Sequence, residues 1–207
     1  MKQLLVVIFF LIPFLVRGQN EYAQCTERKN KAFEGVLNKG GIDSADGKKL
    51  LKESKDWVDC IKGKTIPAFM IRDINGKEIS SENLKGKVIV INNWFTSCPP
   101  CIAEMPALNK LVEEYKGKDV FFLGLTHDTK KKLKKKFLRK YKFDFTIVPD
   151  GQTLEDLLGA QEHPMTFIID QNSKVKDVWA GGAVGEKAKT EAYDKAKPII
   201  DELLKAE

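Results

Sequence analysis

The sequence is poor in the residues that usually hold structural metals, with four cysteines and two histidines, His127 and His163, among 207 residues. A structural zinc site commonly needs about four such ligands, often supplied as two closely spaced cysteine pairs. Only one close pair is present, Cys98 and Cys101. This content disfavours a structural metal site, and we predict that the protein uses no metal and no other cofactor.

Long apolar runs are also scarce. The one candidate is residues 4–16, an unbroken apolar stretch of thirteen residues that follows a short positive start. A membrane-spanning helix needs about 20 apolar residues, so this stretch is typical of a secretory signal peptide. We therefore predict a signal peptide over residues 1–18, with an uncleaved membrane anchor as the alternative. The mature protein would be periplasmic or otherwise extracytoplasmic, without stable membrane insertion, in a compartment where thiols tend to be oxidised.

An excess of acidic residues is absent, since 35 Lys and Arg outnumber 29 Asp and Glu. Much of the basicity lies in residues 130–142, where nine of thirteen are Lys or Arg. Within this segment Leu133, Phe137, Leu138 and Tyr141 are spaced like one stripe of a helix. A nucleic-acid or membrane patch is one interpretation, but the exported setting favours a solvated helix face. We predict no nucleic-acid partner.

Residues 19–63 have helical spacing and no strand-like alternation, which predicts an N-terminal helical hairpin. The first helix is expected to end at the glycine pair 40–41, and the second to begin near Ser44. Cys25 lies near the start of the first helix and Cys60 near the end of the second, positions that meet in an antiparallel hairpin. We predict a structural Cys25–Cys60 disulfide, which suits an exported protein.

Residues 64–207 change to an alternation of strands and helices. The pair Asn75-Gly76 is a strong hairpin signal, and residues 88–95 are nearly all apolar, as expected for a strand covered on both faces. The later predicted elements are a helix over 98–115, strands over 120–125 and 143–148, a helix over 153–158, strands over 165–170 and 175–180, and a helix over 186–205 bent at Pro198. This order predicts an α/β domain with a mixed sheet and helices on both faces.

The close cysteine pair lies between a predicted strand and a predicted helix, which puts Cys98 at the helix N-terminus. Pro99 and Pro100 are tolerated there because first-turn N–H groups have no intrahelical partner. Those free N–H groups and the helix dipole stabilise a thiolate, so we expect Cys98 to be the more exposed and more acidic thiol. Cys101, one turn further, can attack a mixed disulfide formed by Cys98. A static crosslink is disfavoured because so short a loop constrains little.

The stretch from Gly86 to Pro106, GKVIVINNWFTSCPPCIAEMP, resembles the thioredoxin-like proteins of the TlpA/ResA type. The segments IPAF at 66–69 and PMTFIID at 164–170 resemble them too. The resemblance extends over about residues 64–205 and implies a thioredoxin-like fold, with a mixed central sheet flanked by helices. The N-terminal helical hairpin is then an extension outside the family domain.

The resemblance also implies roles for individual residues. Cys98 would be the attacking thiol and Cys101 the resolving thiol. Pro164 would be the cis-proline that faces the pair and borders a bound substrate strand, although a strand-edge proline is the alternative. Glu104 would be a buried acid that moves a proton to or from Cys101, with a helix-surface carboxylate as the alternative.

Two further residues are implied near the substrate, and two positions depart from the family pattern. Trp94 would pack beside the site, unless it is a simple core residue, and His163 would lie near the thiols, unless it is an ordinary loop histidine. Ser97 occupies a position that is often Trp in relatives. Asn92 stands where thioredoxins proper carry a buried Asp, which leaves Glu104 as the only obvious proton carrier.

Together these features predict an exported thiol–disulfide oxidoreductase that acts on protein substrates through its CPPC motif, as a reductant. Its partners would be disulfide-containing exported proteins and an upstream electron donor. One alternative is a peroxiredoxin-like thiol peroxidase, although the Pro-x-x-x-Thr pattern of that group is missing. The other is a copper-binding assembly factor of the same fold, in which three residues rather than two would stand between the cysteines.

Overall fold

The computed structural model describes residues 4–37 and 44–205, with side chains for 20–36, 45–134 and 137–205. Two helices come first and an α/β domain follows. The helices are Leu4–Leu37 (α1), Ser44–Ile61 (α2), Pro99–Glu114 (α3), Lys130–Lys132 (α4), Leu138–Lys140 (α5), Gln152–Leu158 (α6) and Glu191–Lys205 (α7). The strands are Met70–Arg72 (β1), Glu78–Ser80 (β2), Val88–Asn93 (β3), Val120–Leu125 (β4), Thr146–Val148 (β5), Met165–Ile169 (β6) and Val175–Ala180 (β7).

The main sheet has five strands in the order β5-β4-β3-β6-β7. Strands β3, β4 and β5 are parallel to one another, and β6 is antiparallel to both of its neighbours, β3 and β7. All six residues of the central strand β3 are buried, because helices cover both faces of the sheet. The expected mixed sheet flanked by helices is confirmed, and β1 and β2 pair separately around the predicted turn at Asn75-Gly76.

The two faces of the sheet have separate hydrophobic clusters. Val88 and Val90 point into a cluster with α3 and α7, whereas Ile89 and Ile91 point into one with α1, α2 and α6. This alternation follows from the two-residue period of a strand. The sheet therefore separates the helix that carries Cys98 from the N-terminal hairpin.

The hairpin of α1 and α2 packs on the segment that follows α6. The Cys25–Cys60 disulfide joins its helices. The Tyr22 hydroxyl donates to the Leu158 carbonyl at 2.8 Å, and the buried Lys29 ammonium donates to the Gly159 carbonyl at 3.0 Å. The hairpin is thus attached to the chain shortly before Pro164.

Helix α1 begins at Leu4 and runs without interruption through the predicted cleavage site. The expected end of the first helix, at residues 40–41, lies outside the described residues. Within the part of the chain that is described, none of the helices combines the length and apolarity needed to cross a membrane.

The lysine-rich segment is not the single helix that its periodicity predicts. Helices α4 and α5 are separated by a π turn over Leu133–Phe137, and the helical path ends at Lys140 rather than 142. A π turn holds an additional residue per turn, and here Leu133 and Phe137 are both buried in the α3 and α7 cluster. Core packing therefore overrides the regular 3.6-residue repeat.

Candidate redox site

Cys98 and Cys101 form a disulfide at the start of α3. Cys98 is the N-cap residue with extended backbone, and the prolines occupy the first helical positions. The Cys101 N–H donates to Cys98 Sγ at 3.2 Å, so one of the free first-turn donors points at this sulfur. This geometry stabilises negative charge on Cys98 once the bond opens.

The expected difference in exposure between the two sulfurs is small in the disulfide form. Cys98 is 3% exposed and Cys101 is 1% exposed. Exposed Ser97 and Pro99 flank Cys98, whereas Cys101 is followed by the helix. A partner molecule can therefore approach the pair from the side of Cys98.

Glu104 lies one turn beyond Cys101, with 3% of its surface exposed. Asn92 Nδ2 donates to Glu104 Oε1 at 2.8 Å and to Thr166 Oγ1 at 3.0 Å. Burial raises the pKa of Glu104 to about 7, and the hydrogen bond from Asn92 opposes that rise. Glu104 is thus a buried carboxyl, not a surface charge, and it can exchange a proton near neutral pH.

Gly182 brings Pro164 close to Glu104. A Cβ at this position would lie 3.0 Å from Pro164 Cγ and 3.1 Å from Glu104 Oε2. The His163–Pro164 peptide bond is cis, and Pro164 is buried. The close approach of these three residues requires the absence of a side chain at Gly182.

Trp94 lies in the core below the disulfide. Its side chain has no exposed surface, and its ring lies tilted against Phe137 at 5.0 Å and meets Phe143 edge-on at 5.5 Å. It belongs to the same hydrophobic cluster as Cys98 and Cys101. Trp94 therefore supports the site through packing and has no surface that a substrate could touch.

Asp128 is a residue of this site that the sequence reasoning missed. Its Oδ2 accepts a 2.7 Å hydrogen bond from the Thr96 N–H, which fixes the loop that leads to Cys98. Burial acts to raise the pKa of Asp128, but hydrogen bonds from Lys132 and Thr96 outweigh burial and hold the pKa below its usual range. Its position shortly after β4 could have indicated that it lies near Cys98, because loops at the carboxyl ends of parallel strands share one edge of the sheet.

His163 lies beside two residues that the sequence did not predict to be part of the site, His127 and Glu155. Its ring meets Phe95 edge-on at 5.0 Å and His127 at 5.2 Å. The Glu155 carboxylate lies beside both imidazoles. His127, Glu155 and His163 form a polar cluster, which we call the His-Glu-His cluster, and the Phe95 ring packs against both imidazoles.

Known proteins are similar to this chain in sequence and in fold. The AhpC/TSA family matches residues 62–178, more than half of the chain. The thiol-disulfide oxidoreductase ResA of Bacillus thuringiensis (strain Al Hakam) is 35% identical over 138 residues, which are 66% of this chain and 78% of ResA. The thioredoxin-like protein YneN of Bacillus subtilis (strain 168) is 32% identical over 62% of this chain and 76% of its own.

A solved structure agrees with these sequence relatives. A Chlorobium tepidum protein assigned as a thiol:disulfide interchange protein, DsbE, superposes with a TM-score of 0.58 and 26% identity, over 67% of this chain and 96% of that one. The identity of these relatives agrees with the fold and with the disulfide at the start of α3. The chain belongs to the AhpC/TSA family and is a thioredoxin-like thiol-disulfide oxidoreductase of the ResA type.

Proposed function

We propose that the protein is an exported reductant that passes electrons from the Cys98–Cys101 dithiol to disulfides in other exported proteins. The observation that carries the proposal is the disulfide at the N-terminus of α3, with the Cys101 N–H directed at Cys98 Sγ. The proposal includes a division of the chain in which residues 1–18 would direct export, 19–63 would form the hairpin and 64–207 would form the redox domain.

The reaction would proceed in two exchange steps. The Cys98 thiolate attacks one sulfur of a substrate disulfide, forms a mixed disulfide and releases the first substrate thiolate. The Cys101 thiolate then attacks Cys98 Sγ, releases the second substrate thiolate and closes the Cys98–Cys101 bond. Two electrons pass to the substrate in each cycle, and an upstream electron donor must reopen the protein disulfide.

The second step needs a base, because Cys101 is buried and its thiolate is disfavoured there. Glu104, three residues along the same helix, would accept the Cys101 proton and pass it on. Asn92 cannot take this role, since an amide does not titrate at these pH values. Its hydrogen bond holds the Glu104 carboxylate in one orientation.

Substrate binding is proposed along the edge formed by Pro164. The β3 and β6 register pairs Asn93 with Met165, so the chain before Met165 extends past the last paired residue toward the Cys98 loop. Pro164 has no N–H and its carbonyl accepts from the Gly181 N–H at 2.7 Å, so the backbone of the preceding His163 would pair with an extended substrate segment. The adjacent His163 borders the same edge.

The test is disulfide reduction by the prereduced full chain, followed with a protein disulfide substrate such as insulin. We expect wild-type turnover with a chemical reductant, loss of turnover in Cys98→Ser, and a trapped mixed disulfide in Cys101→Ser. A Cys98–Cys101 potential more oxidising than glutathione would contradict the reductant role, because electrons would then flow the other way. Consumption of hydrogen peroxide at a rate far above protein disulfide reduction would favour the peroxidase instead.

A further inference from the structure

The His-Glu-His cluster consists of side chains from three separate segments at one edge of the sheet. His127 follows β4, Glu155 lies on α6, and His163 precedes Pro164. His127 Nδ1 is 3.2 Å and His163 Nε2 is 3.8 Å from Glu155 Oε2. All three potential ligand atoms lie within 4.8 Å of one another.

These separations suit three ligands of one metal ion. An ion bound about 2.0–2.1 Å from each donor in a tetrahedral arrangement would hold the donors about 3.3 Å apart. The observed distances to the shared carboxylate oxygen are 3.2 and 3.8 Å. Small movements of the side chains would therefore complete the coordination.

Glu155 is a buried carboxylate, and a cation held at its Oε2 would offset part of the cost of burying it. The residue is 2% exposed, and its Oε1 atom is buried without a hydrogen-bond partner in the described part of the chain. A buried carboxylate oxygen without a partner is costly. In the part of the chain that the structure describes, the ion-pair partners of this carboxylate are the two histidines.

The surroundings of His163 define which ring nitrogen is available. Asn93 Nδ2 donates to the Ala160 carbonyl at 2.5 Å, which fixes the orientation of the amide. The same Nδ2 lies 3.1 Å from His163 Nε2, so Nε2 is the acceptor and has the lone pair. That lone pair is what a metal requires, and a bound ion would take it over from Asn93.

We propose that His127, Glu155 and His163 bind one Zn²⁺ ion. Two imidazole nitrogens and one carboxylate oxygen suit a borderline transition-metal ion, whereas Ca²⁺ and Mg²⁺ prefer oxygen ligands alone. The His127 side chain is 35% exposed, so solvent can supply a fourth ligand at the open position. The site uses neither cysteine pair and does not depend on the proposed redox role.

The test uses the full chain without a polyhistidine tag and with both disulfides closed, so that thiolates cannot compete for the ion. Zn²⁺ is titrated calorimetrically near neutral pH. We expect one ion per chain, and at least about a tenfold loss of affinity in each of His127→Ala, His163→Ala and Glu155→Gln. Circular dichroism verifies that each variant folds. If an alanine variant fails to fold, Glu155→Gln still tests the site, because glutamine preserves the shape of the side chain.

Asp156→Asn is the matched control, because it removes an exposed carboxylate from the same helix, one residue from Glu155. Its affinity should equal that of wild type. Co²⁺ in place of Zn²⁺ should give strong visible bands of a four-coordinate ion, without sulfur-to-cobalt charge transfer. The proposal fails if wild type shows no saturable binding, if the histidine variants bind as tightly, or if charge transfer reveals sulfur ligands.

Discussion

The two disulfides of this protein differ in the length of the loop that each closes and in the side chains around them. Cys25 and Cys60 are 35 residues apart and join two helices, whereas Cys98 and Cys101 are 3 residues apart within one helical turn. In the chain-entropy estimate the long loop restricts the unfolded chain by about 4 kcal/mol and the short loop by less than half as much. The long bond can therefore stabilise the fold, while the short bond can open and close at little cost to stability.

Their neighbours differ as well. The Cys98 sulfur lies at a helix N-terminus, and Glu104, one turn beyond Cys101 on α3, is a buried acid. The Cys60 sulfur accepts a hydrogen bond from the exposed Arg28 guanidinium, whose Nη2 donates to Sγ at 3.0 Å. Arg28 can stabilise a thiolate at Cys60, but no comparable buried acid contacts this pair in the described residues. The comparison predicts that one disulfide exchanges and the other stabilises.

The largest expected effect is complete loss of disulfide exchange in Cys98→Ser, because the attacking sulfur is gone. Cys101→Ser should instead accumulate a mixed disulfide, visible as a covalent adduct on non-reducing gels. The double variant Cys25→Ala, Cys60→Ala is the control and should exchange at the wild-type rate. Adducts formed through Cys60 would reverse the assignment of the two bonds.

The next effect is on stability. Removing both Cys25 and Cys60 should lower the free energy of unfolding by about 3–4 kcal/mol, because the unfolded chain regains the freedom that the long loop removed. Urea denaturation measures this loss against wild type. Mild reductant should open Cys98–Cys101 first, as shown by peptide mapping. Earlier opening of Cys25–Cys60 would mean that Arg28 makes Cys60 the more reactive sulfur.

Glu104→Gln is expected to slow resolution of the mixed disulfide by about 10²-fold, the usual size of a lost general base. The pH dependence of exchange should lose its inflection near pH 7, where wild-type Glu104 titrates. Alkylation of Cys98 should be unaffected, because that sulfur depends on the helix N-terminus. Stopped-flow kinetics across the neutral pH range measure the rate of resolution and its pH dependence. A wild-type rate and profile would make Glu104 a structural residue only.

Glu104→Gln should also raise the stability of the folded protein at neutral and higher pH. The pKa of Glu104 is 4.5 in the unfolded chain, and burial raises it to about 7 in the folded protein. The free energy of unfolding of wild type is therefore highest below pH 4.5 and falls as the pH rises from 4.5 to 7. The loss is about 3 kcal/mol, at 1.36 kcal/mol per pKa unit. Glu104→Gln should be more stable than wild type above pH 7 and equal to it below pH 4.5, by urea denaturation.

The smallest effect concerns the contact between Pro164 and Glu104. Gly182→Ala adds a Cβ 3.0 Å from Pro164 Cγ and 3.1 Å from Glu104 Oε2, so one of them must shift by a few tenths of an ångström. We expect a few-fold slower exchange and about 1 kcal/mol lower stability. Gly47→Ala in α2, where nothing lies within 4 Å of the added atom, is the control. Equal rates in both variants would show that this contact does not influence exchange.

The sequence predicted those parts of the fold whose signals are local. The apolar run of β3, the turn at Asn75-Gly76 and the prolines after Cys98 each depend on neighbouring residues, and each is confirmed. The His-Glu-His cluster could not be predicted, since His127, Glu155 and His163 meet only when three segments reach one sheet edge. The break in the lysine-rich helix likewise depends on core packing around Phe137, which periodicity does not record.

The connectivity of the cysteines has a consequence for how the chain matures. Each cysteine pairs with the next one along the sequence, Cys25 with Cys60 and Cys98 with Cys101. A chain that emerges N-terminus first exposes them in that order, so an oxidant that joins cysteines as they appear makes both native bonds directly. No wrong pair has to be shuffled, and the protein can be oxidised correctly without the help of an isomerase.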